Sequence, residues 1–296
     1  RTAQPARGMA KICRELVEHL GVAVSSISRQ ITQLEAELGI PLIEHGRRSV
    51  KLTEAGKLAI EYYRSTAAHH LEFVEQLRDL KGSRAGRIEL AVGEGFITPA
   101  LAEMMALFHG RFPAMTVAVH VAGTNRVSAM VAEDEAHIGL VFEAHGHDRL
   151  QVRATLPQPI YCVVSARHRL AARSSVAISE LAEQELCMPT GDFRIRQLVA
   201  QAETDAGQIL SEAMVTDSIA MLKGCVATGK FAALLPALPI SAELDTGRLV
   251  AIPVESQPLN ATTVSIITRA GRRLPPSGLA LLSMLEGGLR RWTALD

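Results

Sequence analysis

Residues 22–39 of this 296-residue chain read VAVSSISRQITQLEAELG, and they predict an amphipathic helix that follows a tight turn. Apolar side chains recur in this stretch at spacings of four, three and four residues, at Ile27, Ile31, Leu34 and Leu38. This period places them on one face of the helix. Gly21, directly before the stretch, is the flexible residue that a turn between two helices needs. We therefore predict a helix-turn-helix with one buried apolar stripe.

The opposite face of the predicted helix is polar. Short hydroxyls, one guanidinium and one amide make up its candidate DNA contacts, which are Ser25, Ser26, Ser28, Arg29, Thr32 and Gln33. Such groups fit a helix that lies in the major groove, where they reach phosphates and base edges. The alternative is the solvated polar face of an ordinary helix.

The segment after this helix is basic and favours the DNA-binding alternative. Residues 45–52 read HGRRSVKL and predict a two-stranded wing. Its cations Arg47, Arg48 and Lys51 suit phosphate contacts.

A second, much longer helix is predicted to begin after Thr53, which caps it, and to run to about residue 81, a length of about 45 Å. Apolar residues recur along it at spacings of three and four, at Ile60, Tyr63, Ala67, Leu71, Val74 and Leu77. A long helix with one apolar stripe typically pairs with a copy of itself. The alternative is a helix packed on its own domain. A polar, glycine-containing break at residues 81–86 follows.

From residue 87 onward strands and helices alternate, which predicts a largely parallel α/β fold. The strand-like runs are 87–92, 115–121, 137–142, 150–155, 160–165, 231–235, 249–254 and 263–268. Two proline-bearing segments, 155–159 and 253–258, interrupt the pattern. We interpret them as crossings between two lobes with a ligand cleft between them. The predicted first lobe spans 87–157 and 259–296, and the second spans 158–258.

Composition and charge exclude several classes of protein. The chain holds 31 Lys and Arg and 31 Asp and Glu, so its formal net charge is zero. Residues 1–87, however, carry 14 basic and 10 acidic residues, and the remainder carries 17 basic and 21 acidic residues. This asymmetry indicates nucleic-acid contact near the N-terminus. No apolar run is long enough for a membrane span or a secretory signal, so we expect no membrane association and a cytoplasmic location. The four cysteines form no C-x-x-C pair. We expect no metal and no cofactor, and the absence of a catalytic motif predicts that the chain is not an enzyme.

Three short motifs now point to a family. They are residues 22–31, the pattern Leu34-Glu35-x-Glu37-Leu38-Gly39, and Leu52-Thr53-Glu54-Ala55-Gly56. Together they strongly resemble the LysR-type transcriptional regulators. The resemblance covers nearly the whole chain and implies a winged helix-turn-helix rich in α structure over 1–52 and a dimerising linker helix over 53–82. It also implies a two-lobed α/β effector-binding domain of the periplasmic-binding-protein type over 87–296.

Four predicted strand-to-helix turns face the cleft of that domain. Their candidate effector contacts are Gly95, Phe96, Thr98, Thr124, Asn125, Asp192, Phe193, Thr216, Asp217 and Ser218. Helix N-termini bind anions through free N–H groups. The alternative is that these residues only cap their helices, as Thr, Asn, Asp and Ser commonly do.

The predicted function is sequence-specific DNA binding by a transcriptional regulator that a small-molecule effector controls, such as a small carboxylate. Its predicted partners are double-stranded DNA, the effector and further copies of the chain, in a homodimer or homotetramer. Two alternatives remain open on the sequence alone. One is a solute-binding protein without DNA function, and the other is an enzyme on the same α/β scaffold.

Overall fold

The structure is a computed structural model that describes residues 24–44, 51–60, 62, 63, 66, 86–144, 148–191 and 193–292. The chain divides into two compact units, residues 1–71 and residues 72–296. None of the described helices is long and apolar enough to cross a membrane.

The first unit contains two described helices. Helix α1 spans Val24–Leu38 and ends at Gly39, whose positive φ of 69° stops it. Helix α2 covers residues 54–60, and residues 62, 63 and 66 are also helical. The apolar stripe of α1 is buried less than we predicted, because Leu34 is 43% and Leu38 is 54% exposed. Residues 1–23 lie outside the described residues, and so do Leu71, Val74 and Leu77 of the proposed dimer seam.

The first lobe of the second unit is built on a five-stranded sheet in the order β2-β1-β3-β10-β4. Its strands are β1 (Gly86–Val92), β2 (Met115–Val121), β3 (Ile138–Phe142), β4 (Leu150–Pro157) and β10 (Thr263–Arg269). Its helices are α3 (Pro99–Arg111), α4 (Thr124–Ala132) and α10 (Pro276–Trp292). Separate apolar clusters cover the two faces of this sheet, which makes it a three-layer lobe.

The second lobe is built on another five-stranded sheet, in the order β7-β6-β8-β5-β9. Its strands are β5 (Ile160–Ser165), β6 (Leu186–Pro189), β7 (Glu212–Thr216), β8 (Ala232–Pro236) and β9 (Leu249–Pro253). Its helices are α5 (Ile178–Leu181), α6 (Arg194–Ala206), α7 (Ile219–Ala227), α8 (Ser241–Asp245) and α9 (Gln257–Asn260). One continuous core fills this lobe. Short 3-10 turns follow β1 and β8, at Glu94–Phe96 and Leu238–Ile240.

The expectation of largely parallel sheets was wrong. Parallel pairing joins β1 to β2 and β3, and β6 to β7 and β8, but β10 is antiparallel to β3 and β4. Likewise β5 is antiparallel to β8 and β9. The chain passes between the sheets at residues 158–159 and returns over 254–262, and the returning strand β10 inserts between two strands of the first sheet.

A buried ion cluster fastens one end of the first lobe. Asp134, which follows α4 and is held at a positive φ of 60°, binds both Arg269, the last residue of β10, and Arg272, which follows the strand. All three side chains are largely buried, so removing Asp134 would leave two buried guanidinium groups without the carboxylate that compensates them.

Candidate functional site

A cavity of about 240 Å³ lies between the two lobes. It is lined by the turn after β1, by the end of β2 and the start of α4, and by the starts of α6 and α7. Phe142, Gln158 and Val264 complete the wall near the crossings. Because the parallel strands of each lobe deliver their following helices to the same edge, several helix N-termini meet in this cavity.

The starts of α4 and α6 at the cavity have backbone donors that no described side chain caps. Gly123 and Phe193 are the N-cap residues directly before α4 and α6, and neither caps its helix through the side chain. The first N–H groups of a helix have no partner within that helix. An anion at this position would therefore meet several donors and the positive end of the helix dipole.

The cavity carries one described cation, Arg194. Its Nη1 donates to Gln197 Oε1 at 3.2 Å, while its Nε is buried and has no hydrogen-bond partner within the described part of the chain. A buried donor without a partner is unusual in folded proteins. Arg194 is therefore the group in this cavity with the most to gain from an incoming acceptor.

Two carboxylates also line the cavity, Glu94 and Asp217. Glu94 Oε1 accepts hydrogen bonds from the backbone N of Ile219 at 2.8 Å and from Ser218 Oγ at 3.3 Å. Glu94 follows β1 in the first lobe, whereas both donors belong to the start of α7 in the second lobe. One side chain thus joins the lobes directly across the cavity.

The structure brings five of the ten predicted effector contacts to the cavity wall: Gly95, Phe96, Thr124, Phe193 and Asp217. The Thr124 hydroxyl, however, donates to Phe142 O at 2.9 Å. Asp192 lies outside the described residues.

The other four predicted contacts are not among the described residues that line the cavity. Thr98 is buried and caps α3 by accepting from Leu101 N at 3.3 Å, and Asn125 is exposed on α4. Thr216 Oγ1 accepts from Ser218 N at 3.2 Å, and Ser218 Oγ caps α7 by accepting from Met221 N at 3.3 Å. For Thr98 and Ser218 the capping alternative describes the observed contacts.

The sequence did not lead us to predict Glu94, Gln158 or Arg194 as residues that line the cavity. Gln158 is 1% exposed, and its Oε1 accepts from Leu238 N at 2.9 Å. Its position between two prolines at a crossing was the available signal. Glu94 lies between two glycines directly after a predicted strand, where a charged side chain has few local partners.

The predicted DNA-reading face lies on α1. Ser28, Arg29, Thr32 and Gln33 are exposed, and Ser26 is partly buried. Thr32 donates to Ser28 O at 3.0 Å and Gln33 donates to Glu37 Oε1 at 3.1 Å. Ser25 lies in the same helix.

The base of the predicted wing is present. Ile43 and Leu52 form an antiparallel bridge, and Glu44 N donates to Lys51 O at 2.8 Å. Lys51 is exposed, while Arg47 and Arg48 lie outside the described residues. Glu35 of α1 accepts from Leu42 N at 2.7 Å and from Ile43 N at 3.1 Å, so a carboxylate of α1 holds the start of the predicted wing.

Thr53 joins the wing to α2. Its hydroxyl accepts from Gly56 N at 3.0 Å, as a helix cap does, and donates to Pro41 O at 2.7 Å. The Thr53 side chain therefore links the segment after α1 to the first turn of α2.

The described cysteines are poorly placed for thiolate chemistry. Cys162, Cys187 and Cys225 are buried, and burial raises the pKa of Cys162 and of Cys187 to about 12. At neutral pH such thiols stay protonated and unreactive. The described residues contain no group of three or more His, Cys, Asp or Glu suited to a metal ion.

Comparison with known proteins gives consistent matches over both units. The family described as LysR substrate binding domain matches residues 81–290, and the bacterial regulatory helix-turn-helix protein, lysR family, matches residues 18–57. The RuBisCO operon transcriptional regulator of Allochromatium vinosum is 28% identical over 264 residues, which are 88% of this chain and 85% of that protein.

Many solved structures share the fold. A full-length OxyR variant from Pseudomonas aeruginosa has a TM-score of 0.65 at 18% identity and covers 100% of this chain and 98% of its own. The regulatory domain of Synechocystis CcmR in complex with 2-PG has a TM-score of 0.60 at 18% identity, over 68% of this chain and 96% of that chain.

Proposed function

Because this chain belongs to the LysR family of bacterial transcriptional regulators, we propose that the cavity between its lobes binds the small molecule that controls its action on DNA. The chain is a DNA-binding regulator, and the alternative of a solute-binding protein without DNA function is set aside by the helix-turn-helix match at residues 18–57. We assign the cavity to binding rather than to catalysis.

The effector in this proposal is a small organic anion. The observation that carries it is Arg194, a cation in a mostly apolar cavity whose buried Nε has no hydrogen-bond partner among the described residues. Charge-assisted hydrogen bonds from arginine to a carboxylate or phosphate are the strong ones in proteins. At about 240 Å³ the cavity is slightly smaller than the usual ligand site of about 300–1,000 Å³, which suits a small effector. Phe96 and Phe142 would contact the apolar part of the ligand.

The proposal is tested by filling the cavity. Gly123 lines it at an ordinary φ of −66°, and a β-carbon there would meet nothing within 4 Å. We expect Gly123→Trp to occupy the ligand space without backbone strain. Gly110→Trp is the matched control, since Gly110 lies exposed on α3 with open space around it.

The readout is the thermal shift of the whole protein with a panel of small carboxylates and phosphates, beginning with 2-PG, the ligand of the CcmR complex. A ligand at 100 times its Kd stabilises the folded state by about 2.7 kcal/mol. At least one compound should stabilise the wild type and the Gly110→Trp control but not Gly123→Trp. An equal shift in Gly123→Trp would refute the site.

The DNA interface in this proposal combines α1 and the wing. Ser25, Ser26, Ser28, Arg29, Thr32 and Gln33 would enter the major groove, and Arg47, Arg48 and Lys51 would contact phosphates. Pairing of two copies through the helix predicted over residues 53–82 would present two such heads to a target with two half-sites. We place the protein in the cytoplasm, where bacterial DNA is accessible to it.

A further inference from the structure

The bond between Glu94 and the start of α7 occupies a position that suits a ligand anion. Ile219 N is the first backbone donor of a nine-residue helix, and it points to the cavity side of the second lobe. A carboxylate at this end of a helix is stabilised by the free N–H groups and by the helix dipole. Here the carboxylate belongs to the protein itself.

The contact also spans the two lobes. Glu94 and Ile219 are 125 residues apart in sequence, and no other described ion pair or side-chain hydrogen bond joins the β1 turn to α7. The contact is only partly buried, and its carboxylate is reachable from the cavity. A group in this position can be exchanged without unfolding either lobe.

The second observation is Arg194, at the start of α6 in the same cavity. Neither Glu94 nor Asp217 forms an ion pair with it within the described residues, and its Nε has no acceptor. The cavity therefore contains an anion bound at the start of α7 and, at the start of α6, a cation whose Nε has no partner among the described residues. An incoming anion gains the Arg194 guanidinium, which Glu94 does not use.

We propose that Glu94 is an intramolecular latch, which holds the start of α7 in the absence of effector and which the anionic group of the effector displaces. The effector takes the hydrogen bonds of Ile219 N and Ser218 Oγ and adds the Arg194 guanidinium. This inference rests on the proposed function, since it concerns the same cavity. Without effector, Glu94 joins the two lobes directly. With effector bound, the ligand takes the place of Glu94 at α7, and this difference in contacts shifts the arrangement of the lobes.

If Glu94 is a latch, its carboxylate competes with the effector for the hydrogen-bond donors at the start of α7. Removing the Glu94 carboxylate should raise the affinity for a simple anion by about tenfold or more, which corresponds to ~1.4 kcal/mol. The variants are Glu94→Ala, which removes the group, and Glu94→Gln, which keeps an acceptor without the charge. Glu94→Gln should have an effect between those of the wild type and Glu94→Ala.

Asp217→Asn is the matched control. It removes one negative charge from the same cavity, but Asp217 has no described bond to Ile219 N. A general charge effect would raise anion affinity equally in Asp217→Asn and Glu94→Gln. The latch requires a larger rise for the Glu94 variants.

The probes are inorganic phosphate and 2-PG, titrated into the whole protein by calorimetry. Hydrogen exchange of the Ile219 amide is the second readout. It should be slow in the wild type, fast in Glu94→Ala, and slow again when phosphate is added to that variant.

Three results would overturn the latch: unchanged or weaker anion affinity in Glu94→Ala, equal effects of Asp217→Asn and Glu94→Gln, or an Ile219 amide that phosphate does not protect. If the latch fails while Gly123→Trp still abolishes binding, the proposed effector site stands. If Gly123→Trp binds phosphate as the wild type does, the site itself is wrong.

Discussion

Gly56→Ala should destabilise the first unit, although alanine is the better helix former. A β-carbon at residue 56 would overlap the carbonyl oxygen of Leu42 and lie 3.1 Å from its carbonyl carbon and 3.3 Å from Leu52 Cβ. Leu42 is 6% exposed and its N–H is held by Glu35, so it cannot withdraw without losing that hydrogen bond. Overpacking costs about 1–3 kcal/mol and a hydrogen bond to a charged group about 1.5–3 kcal/mol. Helix propensity returns at most about 1 kcal/mol. We expect a net loss of about 2–4 kcal/mol.

The control is Gly224→Ala, in the middle of α7, where the residue is exposed and a β-carbon would meet nothing within 4 Å. There the same substitution should stabilise the helix by about 0.5–1 kcal/mol. Hydrogen exchange resolves both effects locally, because the two units need not unfold together. The amides between residues 42 and 56 should lose protection in Gly56→Ala, while those of α7 should gain it in Gly224→Ala. Equal or increased protection around Leu42 in Gly56→Ala would refute the argument from close packing.

Two further outcomes are expected. Burial and the nearby charge of Arg272 lower the pKa of His137 from 6.5 to about 4. The folded protein therefore keeps its full stability above pH 6.5 and loses free energy of unfolding as the pH falls from 6.5 towards 4, because the unfolded state binds a proton that the folded state does not. The loss reaches about 3 kcal/mol and should vanish in His137→Gln. Urea unfolding at each pH measures it, and the same dependence of unfolding free energy on pH in both proteins would contradict it. Arg29→Ala should weaken specific DNA binding by about 1–3 kcal/mol and relax sequence preference, whereas Lys51→Ala should weaken all duplexes alike and reduce the salt slope by about one. Fluorescence anisotropy with several duplexes separates the two, and identical behaviour would show that Arg29 contacts only phosphate.

The order of strands and helices was largely predictable, because most elements carry their own apolar period. Strands β6 and β7 were missed, since they have four and five residues and β7 is half exposed. The direction of β10 could not be read from its apolar residues, because parallel and antiparallel buried strands have similar composition.

The turns that form the candidate site were predictable from the sequence, but the individual side chains that line the cavity were less so. The turns after β1 and before α4, α6 and α7 do meet in the cavity. Which side chain of each turn faces inward depends on the local backbone. Thr98 turns back to cap α3, while Glu94 reaches across to Ile219, a partner far away in sequence that no local pattern specifies.

The place of β10 between β3 and β4 has a consequence for biosynthesis. Among the described strands, β4 pairs with β10 alone, so it lacks this partner while the ribosome makes the more than one hundred residues that separate the two strands. The second lobe, whose strands all fall within this interval, can condense first. Closing the first sheet is then a late event of high contact order, and such steps are slow and expose strand edges to association. The exposed edge of β4 therefore needs protection from association until β10 has been synthesised.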